Sequence, residues 1–254
     1  GAGLCPLAGW RIILRWLGPE SPARSSPPAA RAPPAAVAPG TMLGLAGPPL
    51  EWPSLRPVGL VPLLLVLLPP GTGPGRGAAA AVGAAFVHNL VRAVVLQFPL
   101  PFALGLGVSL SVLWLPLGLI VPALGRRLPR PALLVLAPAA VVAVEYLGVS
   151  LVPMFGTAES FGRAVAPWPF ALATAAYAGF AGPVALLAIL QTGVALAWLD
   201  RSRPRTVALG LAAAVLSSGL TALAGAHRLG AAPTGTVRVA AVGWTYQDEG
   251  SPWE

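Results

Sequence analysis

Apolar residues fall along this chain in long uninterrupted blocks. They follow neither the 3.6-residue rhythm of a surface helix nor the two-residue alternation of a half-buried strand. Five blocks reach about 20 residues or more, the length an α-helix needs to cross a hydrocarbon layer of about 30 Å. They run Ala78–Phe98, Leu100–Leu124, Ala132–Val152, Phe170–Leu199 and Thr206–Ala226. Lipid offers backbone groups no hydrogen-bond partner, and the blocks do not alternate as barrel strands do, so they predict helices. Two shorter apolar stretches precede them in MLGLAGPPLEWPSLRPVGLVPLLLVLL, Met42 to Leu68, hinged on Pro48, Pro49, Glu51 and Trp52. Neither reaches the length of a span, and the second, Pro57–Leu68, crosses only with its flanks included. Internal prolines Pro116, Pro122, Pro138 and Pro183 predict kinks in the spans that contain them.

The polar intervals orient the blocks. Arg76 precedes the first, Arg126, Arg127 and Arg130 lie between the second and third, and Arg201, Arg203 and Arg205 lie between the fourth and fifth. These are alternate loops on one side, which the positive-inside rule makes cytoplasmic. The opposite side has Arg163 in a long loop, with Glu159 nearby. The C-terminus is then expected outside.

Composition agrees with a lipid solvent: 56% of the 254 residues are hydrophobic and 9% charged, against about 25% charged in soluble proteins. Mean hydropathy is +0.77. A net charge of +8 raises the possibility of nucleic acid as a partner, but position excludes it. The arginines sit in short clusters between apolar blocks, with no basic face interleaved with aromatics. Cys5 is the only cysteine, which excludes a disulfide framework, a thiolate metal cluster and a redox pair. No cofactor motif is present and none is expected.

The ends differ from the middle. Residues 1–41, with SPARSSPPAARAPPAAVAP, form a Pro- and Ala-rich leader expected to be disordered. Residues 42–229 form the helix bundle, with five long spans and two short ones. Beyond Gly230 the run TVRVAAVG, from Thr236 to Gly243, alternates with β-branched residues and reads as a strand. The expected fold class is therefore an all-α polytopic membrane helix bundle, with the first strand of a truncated α/β domain at residues 236–254.

Candidate chemistry is sparse. Gly71-Thr-Gly-Pro-Gly-Arg-Gly77 has the glycine content of a phosphate-cradling loop, yet Pro74 interrupts it and no strand precedes it, so it reads as a connector. Within the spans the polar exceptions are His88, Asn89, Arg92 and Glu145. Intramembrane ionisable groups face a bundle interior and pair. Arg92 and Glu145 stand six and seven residues from the outer ends of parallel spans, about 10 Å deep at 1.5 Å per residue. Equal depth predicts an ion pair, with His88 one turn away on the arginine's face; the alternative is a snorkelling Arg92. Tyr146, Glu159 and Trp168 border the outer loop SLVPMFGTAESFGRAVAPWP. That loop is either part of an interfacial aromatic belt or the lip of a lipid-accessible site.

The order of these features resembles the apolipoprotein N-acyltransferases and related membrane-anchored members of the carbon-nitrogen hydrolase superfamily. The resemblance rests on GLAGPPLEWPSLRPVGLVPLLLVLL, on the Glu145-Tyr146 pair where the family usually has Glu-Trp, on FGTAESFGRAVAPWP and on the terminal VRVAAVGWTYQDEGSPWE. It implies a multi-pass protein of the bacterial cytoplasmic membrane whose C-terminal nitrilase-like domain, beginning at 236–254, is extracytoplasmic. It implies phospholipid and lipoprotein substrates alongside membrane lipids, and a ping-pong acyl transfer through a cysteine thioester. The family's Glu, Lys and Cys triad is expected downstream of Glu254, so no catalytic residue is assigned within the chain, and the fragment alone is expected to be inactive. The competing reading is a small multi-pass transporter or permease without catalysis. Such proteins use broken helices in matching positions, and Pro183 inside a long span is a break of that kind.

Overall fold

The computed structural model describes residues 37, 39–42, 58–152, 160 and 168–230. The expected strand at 236–243 lies outside them, as does nearly all of the Pro- and Ala-rich leader. The described residues form helices throughout. They are α1 (Val61–Leu67), α2 (Pro74–Val95), α3 (Leu100–Val112), α4 (Leu115–Arg127), α5 (Arg130–Leu151), α6 (Pro169–Leu172), α7 (Ala175–Ala178), α8 (Ala181–Leu199) and α9 (Pro204–Leu229). Residues 39–42 are also helical, and Gly40 sits against α2 so closely that a Cβ there would lie 2.4 Å from the Ala84 carbonyl oxygen.

Proline sets where these helices start. Every one except α7 and α8 carries a proline in its first two positions. There the missing N–H costs nothing, because the first turn has no intrahelical acceptor, and the fixed φ is already helical. Pro122 and Pro138 lie inside α4 and α5, which continue through them.

Five helical segments are long and apolar enough to cross a membrane, as a multi-pass membrane protein requires: Pro74–Val95, Leu100–Arg127, Arg130–Leu151, Ala181–Leu199 and Pro204–Arg228. They follow four of the expected blocks to within a few residues. The block Phe170–Leu199 is different, because it divides into α6, α7 and α8. Gly179, with φ +57°, turns the chain between α7 and α8, a backbone conformation that suits a residue without a Cβ. The spanning part is therefore Ala181–Leu199, and its break comes at Gly179 rather than at Pro183. A second break separates α3 from α4 at Leu113 and Trp114, so Pro116 begins a helix instead of kinking one.

The helices pack as two groups. One is α2 with α3 and α4; the other is α8 with α5 and α9. Small residues let the backbones approach in each, as membrane bundles require. A Cβ on Gly118 would stand 2.5 Å from the Gly77 carbonyl oxygen, and one on Gly210 would stand 2.4 Å from that of Gly193. Helix α1 packs against α2, α4 and α8, where Leu60, Leu63, Leu64, Leu67 and Leu68 are fully buried. Its N-terminal Leu60 N–H donates to Gln191 Oε1 at 2.8 Å in the buried interior, which satisfies one of the amides that a helix start leaves without a partner.

The arginine-bearing turns meet at one end. Arg130 Nε donates to Asp200 Oδ2 at 2.8 Å, joining the turn before α5 to the end of α8. Its Nη1 reaches the Leu68 carbonyl at 3.4 Å, which fastens the end of α1 to the same point. We call this the arginine end; the ends of α2, α5 and α9 mark the far end.

Candidate functional site

Toward the far end, polar residues of α2 and α5 border a shared cleft. His88 and Asn89 of α2, Trp114 at the α3–α4 break, Glu145 of α5 and Ser160 line one cleft of about 50 Å³ with Leu110, Leu113 and Val144. That space holds a few water molecules. The residues meet for structural reasons. His88 lies seven residues before the end of α2 and Glu145 six before the end of α5, which places both about 10 Å inside the far end at 1.5 Å per residue. The α3–α4 break brings Trp114 to the same place. Ser160 is buried and comes from the loop after α5. Its neighbours 153–159, including Glu159, lie outside the described residues.

An imidazole, a carboxylate, an amide and a hydroxyl thus share one cleft inside an apolar slab. Together they can hold a polar head or an ammonium by hydrogen bonding, and the imidazole and carboxylate can exchange a proton. None of His88, Arg92, Glu145 and Ser160 stands alone, since each has an interaction partner. Of the intramembrane residues expected to act together, the structure brings His88, Asn89 and Glu145 to the cleft. Arg92 lies one turn beyond His88 on α2, half-buried, and is not part of the cleft lining.

The residue after Glu145 faces elsewhere. Tyr146 is exposed and stacks on Phe180 with ring centroids 6.0 Å apart and planes 10° apart. It closes one end of an apolar groove of about 550 Å³ between α5 and α8, lined by Leu134, Val135, Pro138, Val142, Ala185 and Ile189 among others. Trp168, at the start of α6, packs against Ala171, Leu187 and Leu190. The glycine-rich Gly71–Gly77 segment is a connector: Thr72 Oγ1 donates to the Val66 carbonyl at 2.7 Å, and α2 begins at Pro74.

Sequence reasoning did not anticipate Trp114 or Ser160 in the cleft. Tryptophan within an apolar block carries no signal of its own, and Ser160 is one of several small polar residues between α5 and α6 that nothing in the sequence sets apart. No known family model matches the chain, and no curated protein matches it.

Proposed function

We propose that this bundle is the membrane part of an apolipoprotein N-acyltransferase-like enzyme, which moves a fatty acyl chain from a phospholipid to the N-terminal amine of a lipoprotein. The observation that carries the proposal is the division of labour on α5. Glu145 faces the polar cleft, while its neighbour Tyr146 faces the apolar groove. A lipid substrate has the same two parts. Its acyl chain fits the groove between α5 and α8, and its polar end or amine fits beside the Glu145 carboxylate and the His88 imidazole.

In the complete enzyme the family chemistry would follow in a further domain. A glutamate takes the proton of a cysteine thiol, and the thiolate attacks the acyl ester of the phospholipid. The ester C–O bond breaks, the alcohol leaves with a proton as lysophospholipid, and a thioester remains. A lysine helps to stabilise the oxyanion. The lipoprotein amine then attacks the thioester, and the thiol is restored as the amide forms. The arginine loops are cytoplasmic in this arrangement and the far end faces outward, where both lipid substrates lie.

The test is photolabelling of the chain in liposomes with a phospholipid carrying a diazirine on its acyl chain. Labelling is expected to concentrate on the α5–α8 groove and to fall when a diacylglyceryl-cysteine peptide is added. Even labelling of all lipid-facing helices, unaffected by the peptide, would overturn the reading. Reporter fusions at Arg127, Gly162 and Gly235 test the orientation; a cytoplasmic signal at Gly235 would defeat it.

The half-length α1 favours a second reading, a small transporter, because discontinuous helices with buried ends are a transporter device. Under that reading Glu145→Gln would abolish proton flux into liposomes and leave lipid labelling unchanged.

A further inference from the structure

A second cluster lies at the far end, away from the cleft. Tyr177 Oη and His227 Nδ1 are 2.8 Å apart, and the Arg228 guanidinium lies over the Tyr177 ring at 4.9 Å. The sequence brings these residues together from α7 and from the last turn of α9, 50 residues apart. Their depth follows from the path of α6 and α7. Phe170 lies against Gly225, where a Cβ would stand 2.4 Å from its ring, whereas Tyr177 lies against His227 and Arg228. Seven residues of chain therefore advance only two or three residues along α9. The α6–α7 segment thus crosses the end of α9 instead of running down it.

The Arg228 guanidinium carbon lies over the Tyr177 ring. A cation–π contact engages the charge and uses none of the N–H groups as donors to an oxygen, so those groups still suit a phosphate. Arg228 makes no carboxylate pair among the described residues. When Tyr177 donates to His227 Nδ1, the neutral imidazole carries its proton on Nε2 and presents a further donor. Below the cluster, Leu216, Leu220 and Leu223 are 65%, 57% and 68% exposed. The spacing 216, 220, 223, 227 keeps them on the face of α9 that ends in His227. From Leu216 to His227 this face is about 17 Å long at 1.5 Å per residue, close to the thickness of one leaflet.

We infer that Tyr177, His227 and Arg228 bind the phosphate of a glycerophospholipid in the far-end leaflet, with an acyl chain lying on the leucine face of α9. The site is independent of the cleft and of the proposed acyl transfer. Its occupant is a resident lipid that fastens the α6–α7 segment to α9. The charge of Arg228, its place over the Tyr177 ring and the apolar face beneath it select a phosphodiester that carries its own hydrocarbon.

The full chain, purified in detergent, can be examined by native mass spectrometry after adding dioleoylphosphatidylglycerol, dioleoylglycerol or inorganic phosphate. A phosphatidylglycerol adduct is expected to survive, dioleoylglycerol to give none, and phosphate not to displace the lipid. Arg228→Gln should reduce the adduct roughly tenfold, the scale of one charge-assisted hydrogen bond. Tyr177→Phe should reduce it by a smaller factor, and Arg228→Lys should restore part of it. Arg201→Gln, an exposed arginine beside Trp198 at the arginine end, should behave as wild type. The inference is overturned if Arg201→Gln loses as much adduct as Arg228→Gln, if Arg228→Gln loses none, or if dioleoylglycerol binds equally well.

Discussion

The two halves of the bundle are built differently. In the arginine half, backbones touch at Gly77 and Gly118 and at Gly193 and Gly210, and a Cβ at Gly125 would stand 2.6 Å from the Leu68 carbonyl oxygen. The largest fully buried side chains, from Leu60 to Leu68 and at Leu117, Val121, Leu133 and Leu196, also belong to this half, with Val184 the exception. Its charges close on each other: Arg130 binds Asp200 and the end of α1. In the far half the helices break at Leu113–Trp114 and at Gly179, and polar side chains surround a cleft instead of filling it. The contrast teaches that polar groups in one apolar slab serve two ends. Those at the arginine end lock helices together, and those around the cleft line a space, while the far end keeps a link of its own where Tyr177 meets His227.

Substitutions that add volume separate the Gly77–Gly118 and Gly193–Gly210 contacts most sharply from the helix beside the cleft. Gly118→Leu or Gly210→Leu drives a side chain into a facing backbone and should cost more than about 3 kcal/mol or prevent folding. Gly148→Ala, in the far half, meets only Leu113 Cδ1 at 3.9 Å, and should be neutral or stabilising by up to about 1 kcal/mol. Thermal unfolding in detergent measures both, and equal losses would erase the distinction.

Next in size is the ion pair. Asp200→Asn should lower stability by about 2–3 kcal/mol, since it leaves a partly buried guanidinium without its carboxylate. Arg130→Gln should do the same, and the double variant should lose less than the sum. Gln191→Leu removes the acceptor of the Leu60 N–H, at a cost of about 1–3 kcal/mol for a buried donor left unpaired. The smallest effect belongs to the far half. A cycle of Glu145→Gln and Arg92→Gln should show a coupling of about 0.5–1 kcal/mol if the two groups pair, as their equal depth suggests. Strictly additive losses would remove that pairing and leave the far half a site without an internal lock.

The spans were legible because about 20 apolar residues in a row have one physical solution in lipid. That alternate turns share one end was legible in Arg126, Arg127, Arg130, Arg201, Arg203 and Arg205, and the Arg130–Asp200 pair joins two of those turns. Three features were not. Composition is continuous across Phe170–Leu199, so the turn at Gly179 exists only in its φ. Arg130 read as a topology charge because Asp200, its partner, is 70 residues away. Gln191 did not stand out among the polar residues of the spans, although it is fully buried and accepts the Leu60 N–H at a helix start 131 residues earlier. Of the cleft, His88, Asn89 and Glu145 were visible as intramembrane polar groups, while their meeting with Trp114 required the α3–α4 break and that with Ser160 a tertiary contact.

Helix α1 also sets an order of events in time. Its seven residues are far short of the roughly 20 that hold a segment across a bilayer unaided. Beside the packing of α1 on α2 and α4, Gln191 holds the start of the helix and Arg130 its end. Synthesis runs from the N-terminus, so neither Gln191 nor Arg130 exists when residues 58–68 are made. The seat of α1 can therefore be completed only by segments made after it, the farthest of them 131 residues downstream of the Leu60 amide it receives.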